Sequence, residues 1–206
     1  MSTVSPAGGT AGVFAALPET DPDAQRRLHA RLAAAAADAG ILDVAYRTVD
    51  SPLGSLLLAA TDRGLVRVAW EREDHDRVLA QLADRVSPRV LRAPARLDRA
   101  AREIEEYLGH RRTAFDLPLD LRLATGFRRT VLDHLREVGY GRTVSYGQLA
   151  AASGSPRAVR AVGTVCATNP LPLVVPCHRV VRADGSPGRY VGGSEVKRAL
   201  LGLEAG

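Results

Sequence analysis

Apolar and polar positions change rhythm several times along this chain, and each change predicts an element. Asp21 followed by Pro22 predicts a capped helix start, the alanine-rich stretch through Ala39 its body, and Gly40 its C-terminal cap. Val44 to Val49, Ser55 to Ala60 and Leu65 to Trp70 have strand character. The turns Ser51-Pro52-Leu53-Gly54 and Asp62-Arg63-Gly64 separate them. Helical segments follow near 74–86 and 96–108, the second with Leu97, Ala100, Ala101, Ile104 and Leu108 at helical spacing. Thr113 to Leu119 is expected to add an edge strand.

A second module starts near Leu121. Gly126 to Val138 places Phe127, Val131, Leu132 and Leu135 on one helical face. Ser145 with Gln148 three residues later is a capping-box signature, so a helix is expected to begin at Tyr146. Gly154 breaks it, and Pro156 is expected to begin another helix running through Arg157, Arg160 and Val165. Helix, glycine turn and arginine-bearing helix form a helix-turn-helix pattern. The second helix is rich in small residues: Ala158, Ala161, Gly163 and Ala167. Such a helix either approaches a duplex closely or packs tightly on another helix. The expected organisation is α+β: a tail with an Ala-rich helix at 1–40, an α+β domain at 41–120 and a mostly helical domain at 121–206. Residues 1–20, rich in Ala, Gly, Pro, Ser and Thr, are expected to form a flexible tail.

Composition narrows the function classes. The 206 residues are 46% hydrophobic and 25% charged, which fits an ordinary globular chain and not a disordered one. No apolar run approaches the roughly 18 residues of a membrane helix, and Met1 to Thr10 lack the pattern of a secretory signal. A cytoplasmic protein with no membrane partner is expected. Two cysteines, Cys166 and Cys177, are too few for a disulfide framework or a cysteine-built zinc site. His29, His75, His110 and His134 have no matching partners and read as surface or satisfied histidines. Charge is uneven: through Asp120 there are 16 Lys and Arg against 18 Asp and Glu, a net −2. The remainder has 12 against 5, a net +7. A basic half attracts phosphate backbones, although an arginine-rich surface can also be merely solvated.

The densest chemistry lies in Asn169-Pro170-Leu171-Pro172-Leu173-Val174-Val175-Pro176-Cys177-His178-Arg179-Val180-Val181. Three prolines fix the backbone, and the apolar run delivers Cys177 to a buried position. A Cys-His pair by itself usually means an inert buried cysteine. The surrounding residues decide otherwise. Pro176-Cys177-His178-Arg179-Val180 resembles the active-site signature of the O6-alkylguanine-DNA alkyltransferase family. The similarity extends through Tyr46 to Trp70, Tyr140-Gly141, Val144-Ser145-Tyr146, Gln148-Leu149-Ala150, Arg160-Ala161-Val162-Gly163 and Asn169-Pro170. It continues through Asp184-Gly185, Tyr190, Gly192-Gly193, Lys197 and Leu200-Leu201, and covers roughly residues 43–205.

This resemblance implies a small ribonuclease-H-like first domain and a winged-helix-like second domain. It also implies stoichiometric transfer of an alkyl group from O6 of guanine, and from O4 of thymine, to Cys177. His178 would take the thiol proton through a bridging water and Glu204 would orient the imidazole, the logic of a catalytic triad. Tyr146 would donate to guanine N3 and push the 3′ phosphate as the base rotates out. Arg160 would fill the hole left in the stack, with Ala158, Ala161 and Gly163 against the DNA. Asn169 would be the hinge between recognition helix and active-site loop, and Arg179 would serve structure more than chemistry. Val180, Tyr190, Val191 and Gly192 would wall the base pocket. Flipping is needed because the O6 substituent of a stacked, paired base is out of reach of in-line attack.

Two departures bear on that pocket. Val191 stands where some members carry a hydrogen-bonding serine, and Arg189 is larger than the small residue expected there. The implied partner is double-stranded DNA, held in the minor groove by a monomer with little sequence preference. No cofactor and no metal are expected, since residues 1–165 contain no cysteine. Cys166 reads as a packing residue. Three other classes compete: a damage-flagging protein without transfer, a cysteine hydrolase using Cys177, His178 and Glu204, and a transcriptional regulator. The acceptor cysteine argues against the first, the inertness of a thioether to hydrolysis against the second, and the lack of room for a cysteine-rich sensor domain against the third.

Overall fold

A computed structural model describes residues 21–206, so the tail expected at 1–20 lies outside the described residues. The first helix, α1 (Pro22–Asp38), starts where Asp21 accepts a hydrogen bond from the Asp23 amide at 2.9 Å. It stops at Gly40, whose φ of +66° suits a residue without a side chain. Only Ala33 and Ala36 are buried, and Leu28 and Leu32 face outward.

A four-stranded sheet follows, built from β1 (Val44–Val49), β2 (Leu56–Thr61), β3 (Gly64–Trp70) and β4 (Val90–Arg92), in the order β3-β2-β1-β4. The β1–β2 and β2–β3 pairs are antiparallel, and β4 runs parallel to β1. Every residue of β2 is buried, so both sheet faces are covered. Alternate residues divide accordingly. Leu57 and Ala59 join Val44, Val66 and Ala69 under Val78 and Leu82 of α2 (His75–Arg85). Leu56 and Leu58 join Val68 and Trp70 in the larger core, with Ile104 and Tyr107 of α3 (Asp98–Leu108) and much of the second domain.

Two expectations for this half need correction, and two of its features were not anticipated. Strand β4 is not visible in the sequence because three residues after a proline acquire strand geometry only by pairing with β1. The edge strand expected over Thr113 to Leu119 is a single bridge between Leu65 and Leu119. Pro118 has no N–H to extend a ladder, although its carbonyl accepts from the Leu65 amide at 2.8 Å. On α3 Ile104 and Tyr107 are fully buried, and Leu108 is half-buried. His75 is neither surface nor satisfied: it is half-buried and its Nε2 has no partner among the described residues.

The second domain holds α4 (Gly126–Arg136), β5 (Val144–Ser145), α5 (Tyr146–Ala152), α6 (Val159–Ala167), β6 (Val180–Val181) and α7 (Ser194–Ala205). The capping box forms as expected: Ser145 Oγ accepts from the Gln148 amide at 3.1 Å, and the Gln148 side chain accepts from the Ser145 amide at 2.8 Å. The next helix does not begin at Pro156. Residues 155–158 close a turn, with the Ala158 amide donating to the Ser155 carbonyl at 2.8 Å, and α6 starts one residue later. Ala158 is therefore the residue before the helix. Parallel pairing of β5 with β6 sets Val144 against Val180 and so brings Tyr146, the next residue, beside the cysteine loop. No described helix is long and apolar enough to cross a membrane.

Candidate active site

The chain from Asn169 to Val181 is buried throughout. Such a segment must satisfy its backbone polar groups inside the protein, and Asn169 does much of this. Its Oδ1 accepts from the Leu171 amide at 3.0 Å, and its Nδ2 donates to the Val175 carbonyl at 2.8 Å and to Cys177 Sγ at 3.2 Å. One amide thus ties the end of α6 to the loop and aims a donor at the thiol. Pro176 leads into a single helical turn, Cys177–Arg179, which carries Cys177, His178 and Arg179 in succession.

Cys177 is wholly buried. Burial pushes its thiol up to about 11, against the Asn169 hydrogen bond and the Lys197 charge, which favour the thiolate. The thiol is therefore protonated at neutral pH and needs a base. His178 is also wholly buried, and desolvation holds its pKa below the ordinary imidazole value despite Glu204. Its Nε2 lies 2.6 Å from Glu204 Oε1, and its Nδ1 has no hydrogen-bond partner among the described residues.

Glu204, near the end of α7, is the hub. Burial works against its ionisation, but hydrogen bonds from His178, Arg179 and Tyr107 hold its carboxyl down at about 2. Arg179 donates from Nε to Oε2 at 2.9 Å and from Nη2 to Oε1 at 3.1 Å. The Gly141 amide donates to Oε2 at 3.0 Å. Glu204 already has a permanent counter-charge in Arg179, so the pair that fits is a carboxylate beside a neutral imidazole. The expectation that Arg179 serves structure gains a specific content: it supplies the charge that keeps Glu204 ionised without a charged His178.

Sequence reasoning placed no chemistry in the first domain. The structure brings two of its residues to the site. Tyr107 of α3 donates its hydroxyl to Glu204 Oε1, and Trp70 of β3 donates Nε1–H to the Tyr190 hydroxyl at 3.3 Å. The signal for Tyr107 was a tyrosine on an otherwise apolar helix face, since a buried hydroxyl must find a partner. Trp70 offered none.

The expected pocket wall lies beside the cluster. Val180, Tyr190 and Gly192 are buried and Val191 is half-buried. A Cβ at Gly192 would lie 2.8 Å from Trp70 and Tyr190 atoms, and one at Gly188 would collide with the Tyr146 hydroxyl. These glycines let the 188–193 segment pack closely against Trp70 and Tyr146. Arg189 is exposed and its carbonyl lies 3.5 Å from the Tyr146 hydroxyl, so its bulk is turned to solvent. Burial pushes the Tyr146 phenol up to about 12, leaving it a neutral donor. Lys197, fully buried, donates to the Val180 carbonyl at 2.5 Å and sits 5.9 Å from the centre of the Tyr146 ring.

The remaining expected residues lie apart from this cluster, on α6 and the turn before it. Arg160 and Ala161 are exposed, Ala158 and Gly163 half-buried, and Val162, Val165 and Cys166 form the inner face. A Cβ added at Gly163 would meet nothing within 4 Å. Close packing within the protein therefore does not require a glycine there.

Comparison with known proteins places this geometry. Residues 44–121 match the family model described as 6-O-methylguanine DNA methyltransferase, ribonuclease-like domain, and residues 126–206 match its DNA binding domain. The chain is 42% identical over 166 residues to the bifunctional transcriptional activator/DNA repair enzyme Ada of Escherichia coli, covering 80% of this chain and 46% of that protein. It is 38% identical over 161 residues to a methylated-DNA--protein-cysteine methyltransferase of Mycolicibacterium paratuberculosis, covering 78% of this chain and 92% of the relative. Among solved structures, Mycobacterium tuberculosis OGT in complex with DNA superposes with a TM-score of 0.69 at 37% identity, covering 78% of this chain and 92% of that one.

Proposed function

The chain belongs to the 6-O-methylguanine DNA methyltransferase family, and on that premise we propose that it repairs DNA by direct reversal, carrying the alkyl group away on Cys177. The single observation that carries the assignment is the contact chain Asn169–Cys177, His178–Glu204: a buried thiol with a donor on its sulfur, followed directly by a neutral imidazole anchored to a carboxylate.

Each residue has a part set by its surroundings. The Cys177 thiol gives its proton to His178 Nδ1, through one water in the arrangement the family resemblance implies. Glu204, already ionised, stabilises the imidazolium as it forms. The thiolate attacks the alkyl carbon in line; the S–C bond forms as the O6–C bond breaks, and the electron pair leaves with guanine. Tyr146, a neutral phenol, donates to N3 of the departing base and so makes it a better leaving group. O4-alkylthymine presents the same bond and is the second substrate. Because the product is a thioether, with no hydrolysable bond, the site is spent after one reaction.

DNA is the partner, double-stranded and engaged through its minor groove by a monomer working in the cytoplasm with little sequence preference. Support comes from the +7 balance of residues 121–206 and from the outward face of α6, where Arg160 is free to enter the stack and Gly163 needs no space for its neighbours. Cys177 is wholly buried in this structure, so a rotated base reaches the thiol only when what covers it moves. Cys177→Ser tests the assignment: it should bind duplex containing O6-methylguanine with wild-type affinity yet accept no methyl, since a hydroxyl is far harder to ionise than a thiol. Transfer by this variant would refute the role of Cys177.

A further inference from the structure

We propose that Tyr107, supplied by the first domain, is a positioning residue of the transfer reaction, its phenol holding the Glu204 carboxylate and, through it, the tautomer of His178. The inference rests on the alkyl-transfer reading above and extends its machinery across the seam between the two domains.

Packing first fixes where the hydroxyl points. Tyr107 is fully buried, with its ring 4.9 Å from that of Phe115 and edge-on to Tyr140 at 5.9 Å. Its hydroxyl donates to Glu204 Oε1 and lies 3.3 Å from His178 Nε2. Burial raises the phenol far above its ordinary pKa, and the neighbouring carboxylate raises it further, so it always carries its proton. That one proton is committed to Glu204. The phenol oxygen can then offer His178 only a lone pair.

His178 Nε2 therefore faces two acceptors, Glu204 Oε1 at 2.6 Å and the phenol oxygen. Both favour a proton on Nε2, which leaves Nδ1 with the lone pair needed to take the thiol proton. The same contact draws off part of the carboxylate's charge. Glu204 receives donors from Tyr107, His178, Arg179 and Gly141, and Tyr107 is the one from the first domain among the described residues. Phenylalanine in this position would fill the same volume. What it lacks is the donor to Glu204 and the acceptor for Nε2.

The test is Tyr107→Phe in the full chain, with the rate of methyl transfer from O6-methylguanine duplex measured against pH. The groups acting on the His178 imidazole are Glu204, which favours its charge, Arg179 and Lys197, which oppose it, and the Tyr190 ring edge-on at 6.2 Å. Losing the phenol donor concentrates the carboxylate's charge on His178 and raises its pKa. The neutral base is then lost at a higher pH. The variant should bind DNA as the wild type does, react about tenfold more slowly near neutrality, and show its acidic limb displaced to higher pH. In a Glu204→Gln background the same substitution should cost little more, because the two residues act through one contact.

A rate and pH profile equal to wild type would overturn the inference. So would a slower reaction with an unshifted profile and the same loss in the Glu204→Gln background, which would mark a purely structural tyrosine. Wild-type protein that places no methyl on Cys177 would take down the parent reading and this one together. A competent wild type with an indifferent Tyr107→Phe would remove only the inference.

Discussion

A thiol shut away from water resists ionisation, and Cys177 shows both the cost and the use of that. Its raised pKa keeps it protonated at neutral pH, and on the proposed mechanism its reactivity waits on His178 as base. The shift also enters the stability of the fold. The unfolded thiol titrates near 9 and the folded one near 11, so the folded state holds its proton where the unfolded state has lost it. This contribution is whole below pH 9 and is lost as pH rises through 11, amounting to about 2–3 kcal/mol in all. Denaturant melts at pH 8, 9, 10 and 11 should show Cys177→Ala losing less stability over that span than wild type. Parallel losses in the two proteins would mean that the thiol ionises in place. The family resemblance implied a cluster of Cys177, His178, Asn169 and Glu204, and the structure brings these four side chains into contact as two pairs, Asn169 with Cys177 and His178 with Glu204. Arg179 was underrated because its value lies in a partner 25 residues away that only the fold brings near.

At the level of elements, local signals were readable and pairing-dependent ones were not. The Ser145–Gln148 capping box is a local reciprocal pair, and α5 begins where it predicts. Strand β4 and the β5–β6 pair depend on partners distant in sequence, and no periodicity of two or three residues can announce them. The start of α6 was misplaced because proline fits both a first helical turn and the tight turn that the chain makes at 155–158. The outward face of α6 carries its own prediction. Arg160→Ala should slow repair of duplex DNA more than reaction with free O6-benzylguanine, because the free base needs no flipping. Gly163→Leu should weaken duplex binding by about tenfold while leaving the melting temperature unchanged or higher, given the open space beside Gly163 and the low helix propensity of glycine. Equal losses on both substrates for Arg160→Ala, or a fall in melting temperature for Gly163→Leu, would assign this face to the protein's own packing.

The whole molecule is organised by the seam between its two domains. The Val68 amide donates to the Pro170 carbonyl at 2.9 Å, Trp70 holds Tyr190, and Tyr107 reaches Glu204. The first domain thus holds the cysteine loop, Tyr190 and the Glu204 carboxylate at once. That arrangement was the least legible part of the sequence, since each contact joins residues about a hundred positions apart. The two-domain α+β plan itself was legible from the change of periodicity and from the charge reversal near Asp120. In the proposed reaction Cys177 is the permanent acceptor of a single alkyl group. The most direct measurement exposes the wild-type chain to a large excess of O6-methylguanine duplex and follows it by intact mass and peptide mapping. One added methyl per chain, located on Cys177, is expected, with repair stopping at one equivalent. Continued repair beyond one equivalent, with Cys177 recovered unmodified, would contradict it.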